Sequence, residues 1–329
     1  MEGKILILAQ GVTVAASRYR ILQYVPYLTE HGLTCDVMDF PDTFAQYARL
    51  YAILPSYSCV FVQRKRFHFP LLALFRNRAG RIVFDLDDAV MYHNSLARSP
   101  YSRTRQRRFE NMARASDVII AGNSFLKEEA LPVNSNTVII PTSIPVERYP
   151  IKDYSRKKDR VTIGWIGDHG SIHYLERMKD VWNDIGRRFP GKVELKIVCD
   201  VFFDCEDIPV RKVQWSSHTE VEELQDMDIG IMPLIDDLWS RGKCGLKILQ
   251  YFGVGIPAVC TPVGVNRDVV IDGRSGLWAT SKKQWVDALS RLIGNDLLRQ
   301  DMGRQGREIL EKGYTMEVNA PKMLDLLKG

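Results

Sequence analysis

Short apolar runs punctuate the first half of the chain: KILILA (4–9), TCDVMD (34–39), CVFV (59–62), RIVFDLD (81–87), DVIIAG (117–122) and TVIIP (137–141). A helical pattern from about Arg18 to His31 lies between the first two. Runs of this length alternating with helical patterns read as βαβ units, which predict a parallel sheet covered on both faces. A second series repeats the grammar with VTIGWIG (161–167), a helix from about Ser171 to Phe189, VELKIVC (193–199), RKVQW (211–215) and a helix near Glu220–Gln225. It continues with DIGIMPL (228–234), a helix over 245–254, PAVC (257–260) and GLWAT (276–280). The prolines and charges of PTSIPVERYPIKDYSRKKDR (141–160) mark a linker between the two series. After Gly294 the pattern is helical to the end.

The expected fold is therefore α/β with two Rossmann-like domains, residues 1–150 and 151–305. A helical segment, 306–329, is expected to return to the first domain. Open α/β sheets bind ligands beyond the C-terminal ends of their strands, so a cleft between two such domains is the expected site.

Length and composition fit this picture. At 329 residues the chain exceeds one typical domain, and an apolar fraction of 45% is ordinary for a globular protein. Six cysteines without C-x-x-C spacing suit a reducing compartment, so a cytoplasmic location is expected. The apolar run of MEGKILILAQ is too short for a signal peptide, and no later run approaches the ~20 residues of a membrane span.

Charge changes the picture more. Residues 1–150 hold 18 Lys and Arg against 13 Asp and Glu, whereas the remainder holds 27 of each. RKRFHFPLLALFRNRAGR (64–81) has six cations and no acid, and RSPYSRTRQRRFENMAR (98–114) has six arginines against Glu110. Such segments suit an anionic membrane surface, a phosphorylated carrier or nucleic acid; a solvated helix face is the plain alternative.

Three stretches are candidates for chemistry. GWIGDHGSIHYL (164–175) is a glycine turn between strand and helix, where the backbone can approach a phosphate at Gly167, Asp168, His169 and Ser171. Its spacing is not G-x-G-x-x-G. His169 and His173 have metal-pair spacing but lack a recognisable third ligand. RGKCGLKILQYFGVGIP (241–257) sets Arg241, Lys243 and Lys247 at a loop-to-helix junction, suited to a diphosphate and to the charge that grows as it leaves. Gln250 and Tyr251 are predicted on neighbouring turns of the Lys247 face. VFDLDDAVMYHN (83–94) ends a strand with Asp85, Asp87 and Asp88, followed by His93. These groups could hold a sugar hydroxyl, orient an acceptor or cap the strand end, and D-x-D could hold Mg²⁺. Trp215 and Ser216, ending a strand, could line a base pocket. The sequence has no G-x-S-x-G elbow, P-loop or H-E-x-x-H motif.

Nearly the whole chain, roughly residues 4 to 325, resembles a family 4 (group 1) glycosyltransferase of the GT-B fold. The similar blocks are SRYRILQYVPYLTEHG (17–32), FDLDDAV (84–90), ASDVIIAGNSFL (115–126), VIIPTSIP (138–145), IGWIGDHGSIHYL (163–175), MDIGIMPL (227–234), GKCGLKILQYFGVGIPAVCTPVGV (242–265) and VVIDGRSGLWA (269–279). The resemblance implies that the second domain binds a nucleotide diphosphate sugar and the first binds the acceptor. It implies metal-independent transfer with retention at the anomeric carbon and no cofactor. Lys247 and Lys243 would meet the donor diphosphate, Gly167 and Asp168 would form its turn, and Gly11 would face the sugar. Asp88 or His93 would stand where the family contacts that sugar.

Two departures accompany the resemblance. The family's E-x7-E falls on Gly242 and Gln250, so both carboxylates are absent, though Gln250 can still hydrogen-bond a ribose. The Arg and Lys common in the earlier turn are Asp168 and His173. The expected activity is sugar transfer from a UDP- or GDP-sugar to a glycan or lipid-linked acceptor in cell-envelope polysaccharide or glycolipid synthesis. It would occur at the inner face of the membrane, with no nucleic-acid partner. The alternatives are a degenerate GT-B binding or assembly subunit and a nucleotide-sugar epimerase.

Overall fold

A computed structural model describes residues 3–12, 14–156 and 158–329. The chain forms two compact units. The first contains the chain up to Ser143, together with Asp236–Cys244 and Met316–Gly329; the second contains Ile144–Ile235 and Gly245–Thr315. The expected division at residue 150 thus falls at 143/144, and the return to the first unit begins at 316, ten residues later than expected. Asp236–Cys244, placed by the sequence in the second domain, folds with the first.

The first unit is built on β1 (Lys4–Ala9), β2 (Thr34–Asp39), β3 (Cys59–Gln63), β4 (Arg81–Leu86), β5 (Val118–Ala121) and β6 (Thr137–Ile139). All are parallel, in the order β2-β1-β3-β4-β5-β6. Side chains alternate across the pleat. Leu6, Leu8, Val60, Val62, Ile82 and Phe84 pack with Phe67, Phe75 and Phe109 on one face. Ile5, Ile7, Phe61 and Val83 pack with Tyr24 and Leu28 on the other.

That second face is completed by the C-terminal helix Met316–Lys328, which buries Ala320, Met323, Leu324 and Leu327 there. Each of the three larger side chains contributes ~1.5–3 kcal/mol, enough to dock the helix despite Pro321 inside it. Asn319 Nδ2 donates to Ser143 Oγ at 2.9 Å, and the Arg81 guanidinium donates to the Leu326 carbonyl.

The second unit contains β7 (Val161–Ile166), β8 (Val193–Cys199), β9 (Val210–Gln214), β10 (Ile229–Met232), β11 (Ala258–Cys260) and β12 (Gly276–Trp278). These are also parallel, in the order β12-β11-β10-β7-β8-β9. The winding reverses between β7 and β10 here, and between β1 and β3 in the first unit. Each point opens a crevice at the C-terminal ends of the strands of its own sheet.

Two expected helices are interrupted. The 18–31 segment forms Ala15–Arg20, a 3₁₀ turn Leu22–Tyr24 and Val25–Glu30, because Pro26 has no N–H for the Leu22 carbonyl and its ring crowds it. The 171–189 segment forms Ile172–Glu176 and Lys179–Arg188; Trp182 Nε1 donates to the Leu175 carbonyl at 3.0 Å across the break. The helices Glu220–Gln225, Leu246–Gly253 and Asp296–Gly313 lie where the pattern puts them. None of the six cysteines is bonded to another. Among the described residues no helix is long and apolar enough to cross a membrane.

Candidate functional site

The winding reversal of the second unit is assembled from glycines. Gly164 of β7 and Gly230 of β10 are register partners. A Cβ on Gly230 would stand 2.3 Å from the Tyr251 ring, and one on Gly164 would overlap the Met227 side chain. Their absence of side chains lets the helix Leu246–Gly253 lie directly on the sheet.

The same helix is fixed from its other side and at its end. A Cβ on Gly303 would meet the Gly255 carbonyl at 1.8 Å, and one on Gly306 would meet the Phe252 ring at 2.4 Å, so the helix Asp296–Gly313 approaches closely. Gly255, at φ 74°, closes a Schellman cap: Ile256 N donates to the Tyr251 carbonyl and Gly255 N to that of Phe252, both at 3.0 Å. The Arg307 guanidinium donates to the Gly253 carbonyl, and Tyr154 Oη to that of Gly255 at 2.6 Å.

Lys247, the second residue of this helix, is thereby held with its ammonium 5.3 Å from the centre of the Trp165 ring. Trp165 is buried on β7, and a Cβ on Gly167 would lie 2.3 Å from its indole. Lys247, Trp165 and the Gly167 turn therefore form one constellation beside a helix N-terminus, whose first N–H groups have no partner within the helix. A cation and backbone N–H groups converging on a glycine turn suit an anion such as a diphosphate. The turn is ordered from within: Ser171 Oγ donates to Asp168 Oδ1 at 2.9 Å, and Ser171 and Ile172 N–H groups donate to the Asp168 carbonyl.

His169 points elsewhere. Its Nδ1 lies 2.6 Å from Asp200 Oδ2, and that hydrogen bond raises the imidazole pKa and lowers the carboxyl's. The metal-pair spacing of His169 and His173 thus leads to a carboxylate partner. Among the described residues no group of three His, Cys, Asp or Glu is placed to hold a metal. Gln250 is almost wholly buried and donates to Tyr149 Oη at 3.3 Å; Tyr251, fully buried, donates to the Ile231 carbonyl. These two face the core, unlike the predicted common face with Lys247. Trp215 and Ser216 lie partly buried after β9, the outer strand of this sheet.

The winding reversal of the first unit has a different character. Arg64, directly after β3, adopts φ 56°, the only non-glycine residue at positive φ among those described. Its guanidinium grips the Asp87 carboxylate and reaches Asp88 Oδ2 at 2.9 Å. Burial would raise the Asp87 pKa, but Arg64 more than offsets that and holds it low. Asp85 is fully buried against Arg20, which also donates to the Ile140 carbonyl at 2.8 Å. The D-x-D reading is corrected by this arrangement: each carboxylate of the stretch is engaged by a guanidinium.

The segment Asp236–Cys244 is anchored here. Asn123, the N-cap of the helix Ser124–Ala130, donates Nδ2 to the Arg241 and Lys243 carbonyls at 3.2 and 3.0 Å. A Cβ on Gly242 would stand 2.6 Å from Ala89 Cβ, and one on Gly122 2.4 Å from Cys244 Sγ. This is why no carboxylate side chain can occupy position 242. Lys243 Nζ lies 3.6 Å from Asp88 Oδ1 and 5.3 Å from the Trp239 ring, whereas Arg241 pairs with Asp236 at the surface. Burial pushes the Cys244 thiol well above its usual pKa, so it is no nucleophile. Gly11 sits in the turn after β1, and His93 donates its N–H to the Pro100 carbonyl at 2.8 Å.

Sequence reasoning missed Trp165, Arg64, Arg20 and Asn123. Trp165 was visible as the large residue inside a glycine turn, whereas nothing local marks Arg64 or Arg20 as partners of the acidic stretch. Five of the six 64–81 cations are engaged internally: Arg64 as above, Arg76 with Asp117 at 2.8 Å, and Arg66, Arg78 and Arg81 with the carbonyls of Val90, Tyr51 and Leu326.

Two parallel Rossmann-like sheets with a returning C-terminal helix are the architecture of the GT-B fold. Residues 161–295 match the family model described as glycosyl transferases group 1, which spans most of the second unit. No curated protein matches the chain. Among solved structures the chain is similar to sucrose-phosphate synthase from Thermosynechococcus elongatus, at 14% identity over 99% of this chain and 98% of that one, with a TM-score of 0.71. It is similar to HepE of Anabaena in complex with UDP and glucose, at 12% identity over all of both chains, TM-score 0.71. It is similar also to a glycosyltransferase from Rickettsia africae, at 11% identity over 99% and 98%, TM-score 0.72. By fold the chain is GT-B, its residues 161–295 match the group 1 glycosyltransferase model, and together these mark it as a glycosyltransferase.

Proposed function

We propose that the chain transfers a sugar from a nucleotide diphosphate sugar to a hydroxyl of a glycan or lipid-linked acceptor, with retention at the anomeric carbon. The observation that carries this reading is Lys247, held over Trp165 at the Gly167 turn and beside the N-terminus of a helix clamped on both sides. A preorganised cation at that place stabilises the charge that develops as the diphosphate departs. The bond from the anomeric carbon to the phosphate oxygen breaks, and the acceptor oxygen bonds that carbon on the same face. The acceptor's proton passes to a departing phosphate oxygen, so no separate protein base and no metal are needed.

Lys243, engaged with Asp88, has the lesser part in this scheme and holds Asp88 in place. UDP is the first choice of nucleotide, because HepE, a full-length structural relative, is described with UDP and with UDP-glucose. The arginines of the first unit suit work at the inner face of a membrane, in envelope polysaccharide or glycolipid synthesis. The test is a thermal-shift series with UDP, GDP, ADP, CMP and TDP, each with and without EDTA. UDP should raise the midpoint regardless of EDTA, by mass action on the native state. No rise with any nucleotide at millimolar concentration contradicts the reading.

A further inference from the structure

In the first unit, guanidinium groups from two segments gather where no acid meets them. Arg66, three residues beyond β3, donates to the Val90 carbonyl. Arg105, on the helix Arg103–Ala115, donates to the Tyr92 carbonyl at 3.2 Å, two residues along the same loop. Arg108, one turn further on that helix, places Nη2 3.4 Å from His68 Nδ1. Arg64, Arg76 and Arg114 each have a carboxylate partner, but Arg66, Arg105 and Arg108 have none among the described residues.

The cost of this gathering is visible. Burial and then repulsion from Arg105 and Arg108 push the Arg66 guanidinium down to about 10. Arg105 stands in the first turn of its helix, which has no acid, although cations are disfavoured at that end of the helix dipole. An arrangement that opposes its own stability in two ways marks a functional site more often than a structural one. An anion relieves both. Planar guanidinium groups match the geometry of a phosphoryl group, each offering paired N–H donors.

We propose that Arg66, Arg105 and Arg108 form a phosphate-binding site on the first unit, which receives the phosphoryl group of an anionic acceptor. His68 adds a fourth side chain at its rim. Two exposed rings flank the cluster along the chain, Phe69 next to His68 and Tyr101, which packs edge-on against Tyr92 at 6.1 Å. Aromatic rings beside a phosphate site suit a phosphoryl group carried on an apolar chain. The acceptor role rests on the transferase reading; phosphate binding does not, and a binding measurement without donor separates the two.

The probe is inorganic phosphate at about 20 mM, against chloride of matched ionic strength, read as the thermal midpoint. The parent should rise by about 2 °C or more. In R105Q/R108Q the rise should fall by more than half, whereas R103Q/R107Q, altered on the same helix outside the cluster, should keep it. The double variant's own midpoint without phosphate should equal or exceed the parent's, since repulsion is removed. Should R105Q/R108Q fold poorly, R108Q alone carries the same expectation. An undiminished rise in these variants overturns the proposal, as does no rise in the parent. Vesicles of phosphatidylcholine with and without phosphatidic acid identify the source. Co-sedimentation lost in R105Q/R108Q but kept in R103Q/R107Q places the phosphate on a lipid; a phosphate effect with unchanged co-sedimentation places it on a soluble acceptor.

Discussion

The two sheets reverse their winding at corresponding points, yet they furnish those points with opposite materials. In the first unit, β1 and β3 end among interlocked charges: Arg20 on Asp85, and Arg64 in a left-handed conformation on Asp87 and Asp88. In the second, β7 and β10 end among glycines, one indole and the Lys247 ammonium above it. Charges that grip each other fix loops; a cation set over a ring beside a glycine turn is the arrangement that suits an anion. The same topology thus yields a braced first unit and a second unit packed around glycines.

The contrast can be broken at either end, and the largest effect is expected in the braces. Asp85→Asn leaves the Arg20 guanidinium buried without its counter-charge, which costs about 3–5 kcal/mol and is read by denaturant unfolding of the first unit. A loss below about 1 kcal/mol means the pair is dispensable. Lys247→Ala should lower transfer about 10²- to 10³-fold with little change in unfolding midpoint, as removal of one transition-state donor does. Loss of stability in proportion to activity instead gives Lys247 a structural role.

Gly303→Ala tests the clamp behind Lys247. Its methyl group would collide with the Gly255 carbonyl, so a loss of about 1–3 kcal/mol is expected, with weaker nucleotide binding as the helix Leu246–Gly253 shifts. The smallest effect concerns acid. Burial would raise the Asp226 carboxyl, but Lys158 and Lys196 more than offset that and hold it far below the usual range. A depressed folded-state pKa contributes stability above about pH 4 and loses it as pH falls further. The second unit should weaken below pH 4 in the parent, and less steeply in Asp226→Asn.

Much of the fold was legible because the apolar runs carry it. All twelve strands coincide with runs in the sequence, and the helix over 245–254 was marked by its 3.6-residue pattern and by the Gly255–Pro257 stop. The breaks at Pro26 and at Met178 were less so, since the second depends on a tertiary bond from Trp182 to the Leu175 carbonyl. The site was legible where neighbours in sequence are neighbours in space, as in the Gly167 turn. It was illegible where partners lie far apart: Arg20 and Asp85 are separated by 65 residues, and Asn123 holds the 241–243 backbone from 118 and 120 residues away. The assignment of Asp236–Cys244 to the second domain failed for the same reason, because a nine-residue excursion carries no signal in periodicity. Gly242 shows the point in a single residue, since its missing side chain is explained by Ala89.

The claim that the second unit's glycine turn and Lys247 hold the donor diphosphate is tested most directly by the dissociation constant for UDP. It should be measured by calorimetry in EDTA for the parent and for Lys247→Ala. A loss of a charge-assisted contact of about 1.5–3 kcal/mol predicts weakening of about 10- to 100-fold. Equal affinity in the two proteins would contradict it.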